Sequence, residues 1–273
     1  MKRFENKVVM VAGGASGIGA ATSEAFAREG AQVVVADIQD AAGHSLVEGL
    51  VGAGGRALYL HCDCTDAGQV EKTVAQVIAD CGGLDVAANV LGGAHRDDVP
   101  GSTLHNTSDE AYDSTMAISL GSIFMLMKHQ VSHMMTHGGG VIVNVSSMAS
   151  LAAEKHATLA YGIAKAGLNH LTRFAAADYA RYNIRVNAIL PGITATPMLR
   201  NNFSEDEIIE MCAGQQAIVR PVEPYEQANT ILWLASEEAA MITGVLLPVD
   251  GGRSAFGMQG PPASAVARDL IRA

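Results

Sequence analysis

The stretch Lys7-Val8-Val9-Met10-Val11-Ala12-Gly13-Gly14-Ala15-Ser16-Gly17-Ile18-Gly19 decides the fold. Its first part is a continuous β-branched and apolar run after one lysine, as a strand covered on both faces requires. The glycine-rich part follows directly and opens an Ala-rich stretch that reads as a helix. Glycines there permit a tight turn and let backbone amides approach a pyrophosphate lying at the positive helix N-terminus. A glycine run alone also makes an ordinary turn. Its place between a first strand and a first helix makes it a dinucleotide-binding fingerprint, with Gly13, Ser16, Gly17, Ile18 and Gly19 as candidate cofactor contacts.

Outward from this turn the same alternation repeats. Lys7–Ala12, Gln32–Asp37, Ala57–Cys62, Leu84–Ala88, Val141–Ser146, Ile184–Leu190 and Val245–Val249 read as strands. Helical periodicity falls between them, over 17–30, 40–53, 66–81, 108–136, 158–182 and 225–236. Repeated βαβ units with right-handed crossovers predict an α/β fold: a Rossmann-like, doubly wound, mostly parallel seven-stranded sheet with helices on both faces. Residues 198–220 read as a mobile insertion containing a short helix, a lid over the substrate. No linker, repeat or charge run marks a second domain, so 1–253 reads as one catalytic domain and 254–273 as a C-terminal tail.

The chain of 273 residues is 49% hydrophobic and 17% charged, enough for a large core. A net charge of −10 argues against a nucleic-acid footprint, which needs a basic surface, and fits a small-molecule substrate. Cys62, Cys64, Cys81 and Cys212 are too few for a disulfide framework and form no paired CxxC zinc pattern. The N-terminus has no apolar signal core, and no apolar run reaches membrane-spanning length. These features predict a cytoplasmic protein with no membrane partner.

Asp37 ends the second strand, 18 residues after Gly19. A carboxylate there can accept hydrogen bonds from both adenosine ribose hydroxyls and would repel a 2′-phosphate. Ser16, Ile38 and Gln39 bring no cation for that phosphate. The reading is NAD rather than NADP. Asp37 as a helix N-cap is the plain alternative, with Asp40 able to cap instead or as well.

Tyr161 and Lys165 stand four residues apart on one predicted helix, hence on one face, separated by ~6 Å of rise. The YxxxK pattern is common by chance on solvated helices. Here the helix is otherwise apolar and follows a strand ending Asn144-Val145-Ser146-Ser147, whose carboxyl end points at the ligand crevice.

At this point the chain resembles the short-chain dehydrogenase/reductase family in its single-domain branch, over residues 5–253. The resemblance rests on Gly13-x-x-x-Gly17-x-Gly19, Asp63, Asn89 and Gly92, Ser147, Tyr161-x-x-x-Lys165, Arg185-Val186-Asn187, Pro191-Gly192 and Asp250-Gly251-Gly252 in this order. It implies a hydride transfer between NAD(H) and a secondary alcohol or ketone, in a dimer or tetramer paired through the long helices. Tyr161 would be the base for alcohol oxidation or the acid for ketone reduction. Ser147 would hold the substrate oxygen, and Lys165 would bind the nicotinamide ribose and lower the phenol pKa. Asp63 would bond the adenine amino group and Asn89 would line the adenosine ribose. Ile193 and Thr196 would meet the carboxamide; Ile38, Cys64, Gly92 and Pro191 complete the expected cofactor contacts. Lowering a tyrosine pKa from about 10 to near 7 needs ~4 kcal/mol, and one cation at about 4 Å supplies ~4 kcal/mol at an effective dielectric of about 20.

The chain departs from the family in four places. Ser119 stands where an asparagine of the central helix supports a water-linked proton relay to the lysine. Ala12 replaces a common threonine, and Asn89-Val90-Leu91-Gly92 replaces Asn-Asn-Ala-Gly. Ser147 lies 14 residues before Tyr161, one more than usual, which leaves Ser146 and Ser150 as alternatives. A non-catalytic NAD-binding relative acting through its assembly is the competing reading. An epimerase or dehydratase is a third, disfavoured because no added substrate domain follows residue 253.

His129, His133 and His137 share a helix face, but at a helix C-terminus histidines also oppose the dipole, and no metal site is expected. Cys62-Asp63-Cys64 is likewise read as chance rather than metal. The methionines read as core or subunit filler. Met198, Leu199, Phe203, Ile208 and Met211, with Leu91 and Met148, suggest an apolar pocket for an alicyclic, aromatic or steroid-like alcohol. A surface helix that never meets substrate is the alternative. Arg200 and His95 are the candidate cations for an anionic substrate.

Overall fold

The computed structural model describes residues 2–152 and 158–255. The chain runs β1 (Val8–Ala12), α1 (Gly17–Arg28), β2 (Gln32–Asp37), α2 (Asp40–Gly52), β3 (Arg56–His61), α3 (Ala67–Cys81) and β4 (Val86–Asn89). It continues with α4 (Asp109–Met116), α5 (Ser122–Met134), β5 (Gly140–Val145), α6 (Leu159–Tyr179) and β6 (Ile184–Pro191). Then come α7 (Pro197–Asn202), α8 (Glu205–Gln215), α9 (Pro224–Ala235) and β7 (Leu246–Val249). The seven strands form one sheet in the order β3-β2-β1-β4-β5-β6-β7. Every pairing is parallel, so the expected topology is the observed one.

Strand alternation divides the core into two layers. Val9, Val11, Val33 and Val35 pack with Phe26 of α1 and Ile231 and Leu232 of α9. Met10, Ala12, Val34 and Ala36 face the other way, onto Val74 of α3, Leu126 of α5 and Leu168 of α6. The order reverses between β1 and β4, and Ala12 of β1 lies beside Ala36 of β2 and Asn89 of β4. The loops leaving these ends splay apart and open the crevice in which such sheets bind ligands.

Arg185 and Asn187 tie the far side of the sheet together. The Arg185 guanidinium donates to the carbonyls of Leu234, Ala235, Ser236 and Ile242, closing the C-terminus of α9. Asn187 donates to Ile242 and accepts from the Val245 amide, fixing the approach to β7.

Two expectations need correction. The predicted helix 108–136 is α4 and α5 joined by a π-helical turn over Ala117–Gly121. At its centre Ser119 is fully buried and bonded to the backbone of another loop, and such turns arise where tertiary contacts outweigh local α-preference. The insertion 198–220 holds two helices rather than one. Pro197 starts α7, and Ser204 and Glu207 form a reciprocal capping box that starts α8. Several strand ends also differ by a residue or two. The expected tail 254–273 lies, apart from its first two residues, outside the described residues.

Candidate active site

The first half of the site is the turn from β1 into α1. Gly13 has φ +72°, and a Cβ on Gly19 would fall on the Gly13 carbonyl oxygen, so only glycine lets the helix start so close to the strand. The Gly13 amide is held by the Ala36 carbonyl at 2.8 Å. The first amides of α1 have no partner within the helix and face the crevice. A Cβ on Gly17 would lie 3.2 Å from Cγ2 of Thr196, which places the start of α7 across the turn. A pyrophosphate fits this cradle by the chemistry of its donors and by the space the absent side chains leave.

Asp37 lies at the end of β2 with its carboxylate buried against this turn. One oxygen accepts from the Ala15 amide at 3.0 Å, the other from the Gln39 amide at 3.0 Å and the Gln39 side chain at 3.3 Å. Gln39 also donates to the Ser16 hydroxyl at 3.2 Å. Ile38 is 57% exposed at the mouth. Asp40 caps no amide of α2; it pairs with His61 and accepts from Tyr59. Asp63 accepts from the Thr65 amide and hydroxyl, which hold its carboxyl below the usual range.

Two expected cofactor contacts turn inward. The side chain of Asn89 is fully buried, donating to Gln130 and Asn144 and accepting from Gln130. Asn144 in turn donates to Thr172. Alternation explains the direction: Asn89 shares its face of β4 with Ala87, which looks onto α5 and α6. The Asn89 carboxamide is thus a polar brace beneath β4 and β5, and only the backbone of Asn89 remains for a ligand. The Cys64 thiol is also buried, 3.7 Å from the Cys62 sulfur and directed away from the surface. Only the backbone of Cys64 remains for a ligand.

The second half of the site stands on α6. Lys165 is 1% exposed, and its ammonium donates to the carbonyls of Leu91 at 2.7 Å and Val145 at 2.8 Å. Burial lowers its pKa to about 7. The nitrogen lies 5.7 Å from the centre of the Tyr161 ring. Burial raises the Tyr161 pKa, opposed by a hydrogen bond with the Ser147 hydroxyl. Gly92 closes the cluster: a Cβ there would lie 3.0 Å from the Lys165 nitrogen and 3.6 Å from the Tyr161 hydroxyl.

The serine alternatives separate clearly. Ser146 is buried and donates to the Lys165 carbonyl at 3.2 Å, inside α6 and away from the crevice. Ser150 donates to the Ser147 carbonyl at 2.5 Å and accepts from Asn169 at 2.8 Å. Ser147 alone of the three acts on the phenol, lowering its pKa. Ser119 donates to the Gly93 carbonyl at 2.6 Å and accepts from the Gly93 amide at 3.0 Å. Its hydroxyl thus fixes the loop after β4 and makes no direct bond to Lys165.

The expected apolar pocket is split. Met148 packs into the core on Ala188 and Leu190, and Ile208 is buried. Met198 on α7 and Phe203 just after it stand out, 74% and 44% exposed. Arg200 pairs with Glu223 at 3.0 Å, and His95 lies 3.7 Å from Asp97. His133 and His137 stack on one another 4.0 Å apart. Among the described residues no three His, Cys, Asp or Glu side chains gather as a metal-ligand group. Sequence reading missed Asp98, which is 2% exposed and accepts from the Ala160 and Tyr161 amides. No local signal marks it, because its partners lie more than sixty residues away.

Comparison with known proteins agrees with this geometry. A family profile described as enoyl-(acyl carrier protein) reductase matches residues 13–254. The chain is 39% identical over 261 residues to the 2,5-dichloro-2,5-cyclohexadiene-1,4-diol dehydrogenase of Sphingobium indicum, covering 94% of this chain and all of the relative. It is 37% identical to the cis-4-hydroxycyclohexanecarboxylate dehydrogenase of Sinomonas cyclohexanicum, over 92% of this chain and 98% of that protein. The crystal structure of a 7α-hydroxysteroid dehydrogenase complexed with NADH and 7-oxoglycochenodeoxycholic acid superposes with a TM-score of 0.84 at 30% identity, covering 92% of this chain and 95% of that one. The chain belongs to the short-chain dehydrogenase/reductase family of oxidoreductases.

Proposed function

We propose that this protein is an NAD-dependent dehydrogenase of a hydrophobic, alicyclic secondary alcohol, working also as reductase of the matching ketone. The observation that carries the reading is the meeting of the Tyr161 phenol, the Lys165 ammonium and the Ser147 hydroxyl beside Gly92 at the carboxyl edge of the sheet. Bound NAD supplies the hydride acceptor and a positive charge. Ser147 holds the alcohol oxygen and Tyr161 accepts its proton. Burial works against a phenolate, so the charges of Lys165 and the cofactor must offset it for proton transfer near neutral pH. Lys165, held by two carbonyls, keeps one N–H with which it would hold the cofactor's ribose.

NAD rather than NADP is supported by Asp37, whose buried carboxylate would lie against a 2′-phosphate with no neighbouring cation on Ile38 or Gln39. The hydrophobic substrate is supported by Met198 and Leu199 on α7, by Phe203 at its end, and by the pairing of Arg200 and His95 with carboxylates. The named activities of the relatives, on a cyclohexadienediol, a hydroxycyclohexanecarboxylate and a hydroxysteroid, share an alicyclic secondary alcohol and support that part of the reading. We read α7 and α8 as the lid that excludes water over the substrate, residues 1–253 as one catalytic domain, and the reducing cytoplasm as the setting for four free cysteines. No described helix is long and apolar enough to cross a membrane. Phe124 and Phe174, 54% and 58% exposed, flank an apolar groove with Met116 and Leu120. We assign this face to pairing with a second copy, in a dimer or tetramer.

The test follows absorbance at 340 nm with NAD and with NADP against a panel of alicyclic, aromatic and steroid secondary alcohols, with uncharged and anionic members of each. The reading predicts turnover with alicyclic members and NAD well ahead of NADP. NADP-preferring turnover would overturn the assignment of Asp37, and turnover of anionic alcohols alone would overturn the substrate class.

A further inference from the structure

Helix α6 carries Tyr161 in its first turn, where backbone amides lack helical partners. Its N-cap residue, Thr158, makes no capping bond with its side chain. The cap comes from elsewhere. Asp98 accepts from the Ala160 amide at 3.3 Å and from the Tyr161 amide at 3.1 Å, one with each carboxylate oxygen. The group is 2% exposed and sits at the positive end of a 21-residue helix, where a carboxylate is stabilised.

The segment leading to Asp98 is pinned along its length. Leu91 accepts from the Lys165 ammonium, Gly93 exchanges two bonds with Ser119, and His95 donates to Thr115 at 2.8 Å. The Asp98 amide then donates to the His95 carbonyl at 2.9 Å. One strap of eight residues, Leu91 to Asp98, therefore grips both members of the Tyr161–Lys165 pair. Its first residue holds the ammonium and its last holds the backbone of the tyrosine.

We propose that Asp98 is a positioning residue for the reaction: it replaces the missing local cap of α6 and sets the phenol of Tyr161 against Ser147 and the strap. This rests on the reading of Tyr161 as the proton-transfer group. Lys165 lies one turn deeper and has a second anchor in Val145, so loss of the Asp98 carboxylate displaces the phenol before the ammonium. Turnover suffers and cofactor binding does not. Displacement of a reacting group by about 1 Å costs up to roughly a hundredfold in rate.

The test compares Asp98→Ala, Asp98→Asn and Tyr161→Phe in the full chain. It measures kcat and KM on the best alcohol of the panel, NADH affinity by fluorescence, and amide deuterium exchange with NADH bound. Asp98→Ala is expected to lower kcat by about ten- to a hundredfold with NADH affinity within about twofold. Asp98→Asn, keeping one acceptor oxygen, is expected to recover part of that loss, and it carries the test if the alanine variant does not fold. Faster exchange is expected in the peptide spanning Thr158 to Lys165 and not in α1. Wild-type kcat in both Asp98 variants, with Tyr161→Phe inactive, would overturn the role of Asp98 and leave the dehydrogenase reading standing. NADH affinity falling in step with kcat would also overturn it, marking a fold-wide effect. Equal turnover by wild type and Tyr161→Phe, or none by the wild type, would remove the dehydrogenase reading and this inference with it.

Discussion

Replacing Gly92 with alanine adds one methyl at the centre of the site. Gly92 has no positive φ and is exposed toward the crevice, so its backbone accepts a side chain without strain. The new Cβ would lie 3.0 Å from the Lys165 nitrogen and 3.2 Å from its Cε, so the ammonium must give by a few tenths of an ångström. It cannot move freely, because it is buried and bonded to Leu91 and Val145. Hydrogen bonds from a charged group are worth about 1.5–3 kcal/mol, and stretching two of them forfeits ~1–2 kcal/mol of positioning. That corresponds to roughly a five- to thirtyfold loss in kcat/KM. The same stretched bonds cost the folded state ~1–2 kcal/mol, offset in part by the about 0.4–1 kcal/mol that Gly→Ala at a permissive φ gains by restricting the unfolded chain. The assay pairs steady-state kinetics at 340 nm with thermal melting of the same preparation. Reduced turnover with a Tm held or lowered by a few degrees is the expected signature. Native kinetics would mean that Gly92 does not face the Lys165 ammonium, and the site geometry described above would be wrong.

Two further perturbations follow from neighbouring groups. The pKa of Lys165 falls from 10.5 unfolded to about 7 folded. Above about pH 7 the unfolded chain binds the extra proton, so stability contributed at this position rises as pH climbs toward 10.5. Relative to Lys165→Met, the cofactor-free protein should gain stability between about pH 7 and about pH 9.5, by ~3 kcal/mol; a flat difference in urea midpoints would refute the lowered pKa of the buried lysine. At the adenosine end, Asp37→Ala alone should weaken both cofactors, because the Ala15 amide loses its acceptor. Combined with Ile38→Arg, at an exposed mouth position, it should move the kcat/KM ratio toward NADP by tenfold or more; an unchanged ratio would refute the placement of Asp37 at the ribose.

What the sequence disclosed depended on how far each signal reached. The strand–glycine–helix turn at Ala12 to Gly19, the terminal carboxylate of β2 and the Tyr161–Lys165 spacing are local, and each is where its pattern puts it. Ser204-x-x-Glu207 was equally local, a capping-box signal that marks the start of α8 in the lid. The inward direction of the Asn89 side chain is legible in strand parity with Ala87. The π-helical turn, the bracing of the loop by Ser119 and the cap from Asp98 were not readable. Each is fixed by partners 26 to 63 residues away in sequence, and no local propensity records them. Met148 and Ile208 were apolar in any reading, and only the packing assigns them to the core rather than to a pocket.

The account stands most directly on Tyr161→Phe, which removes one hydroxyl and leaves the aromatic ring. Turnover of an alicyclic secondary alcohol with NAD, followed at 340 nm beside NADH binding, is expected to fall at least a hundredfold in the variant, within the range general-acid–base groups contribute, while NADH affinity stays within about twofold. Turnover equal to that of the native protein, with the cofactor bound as before, would contradict it.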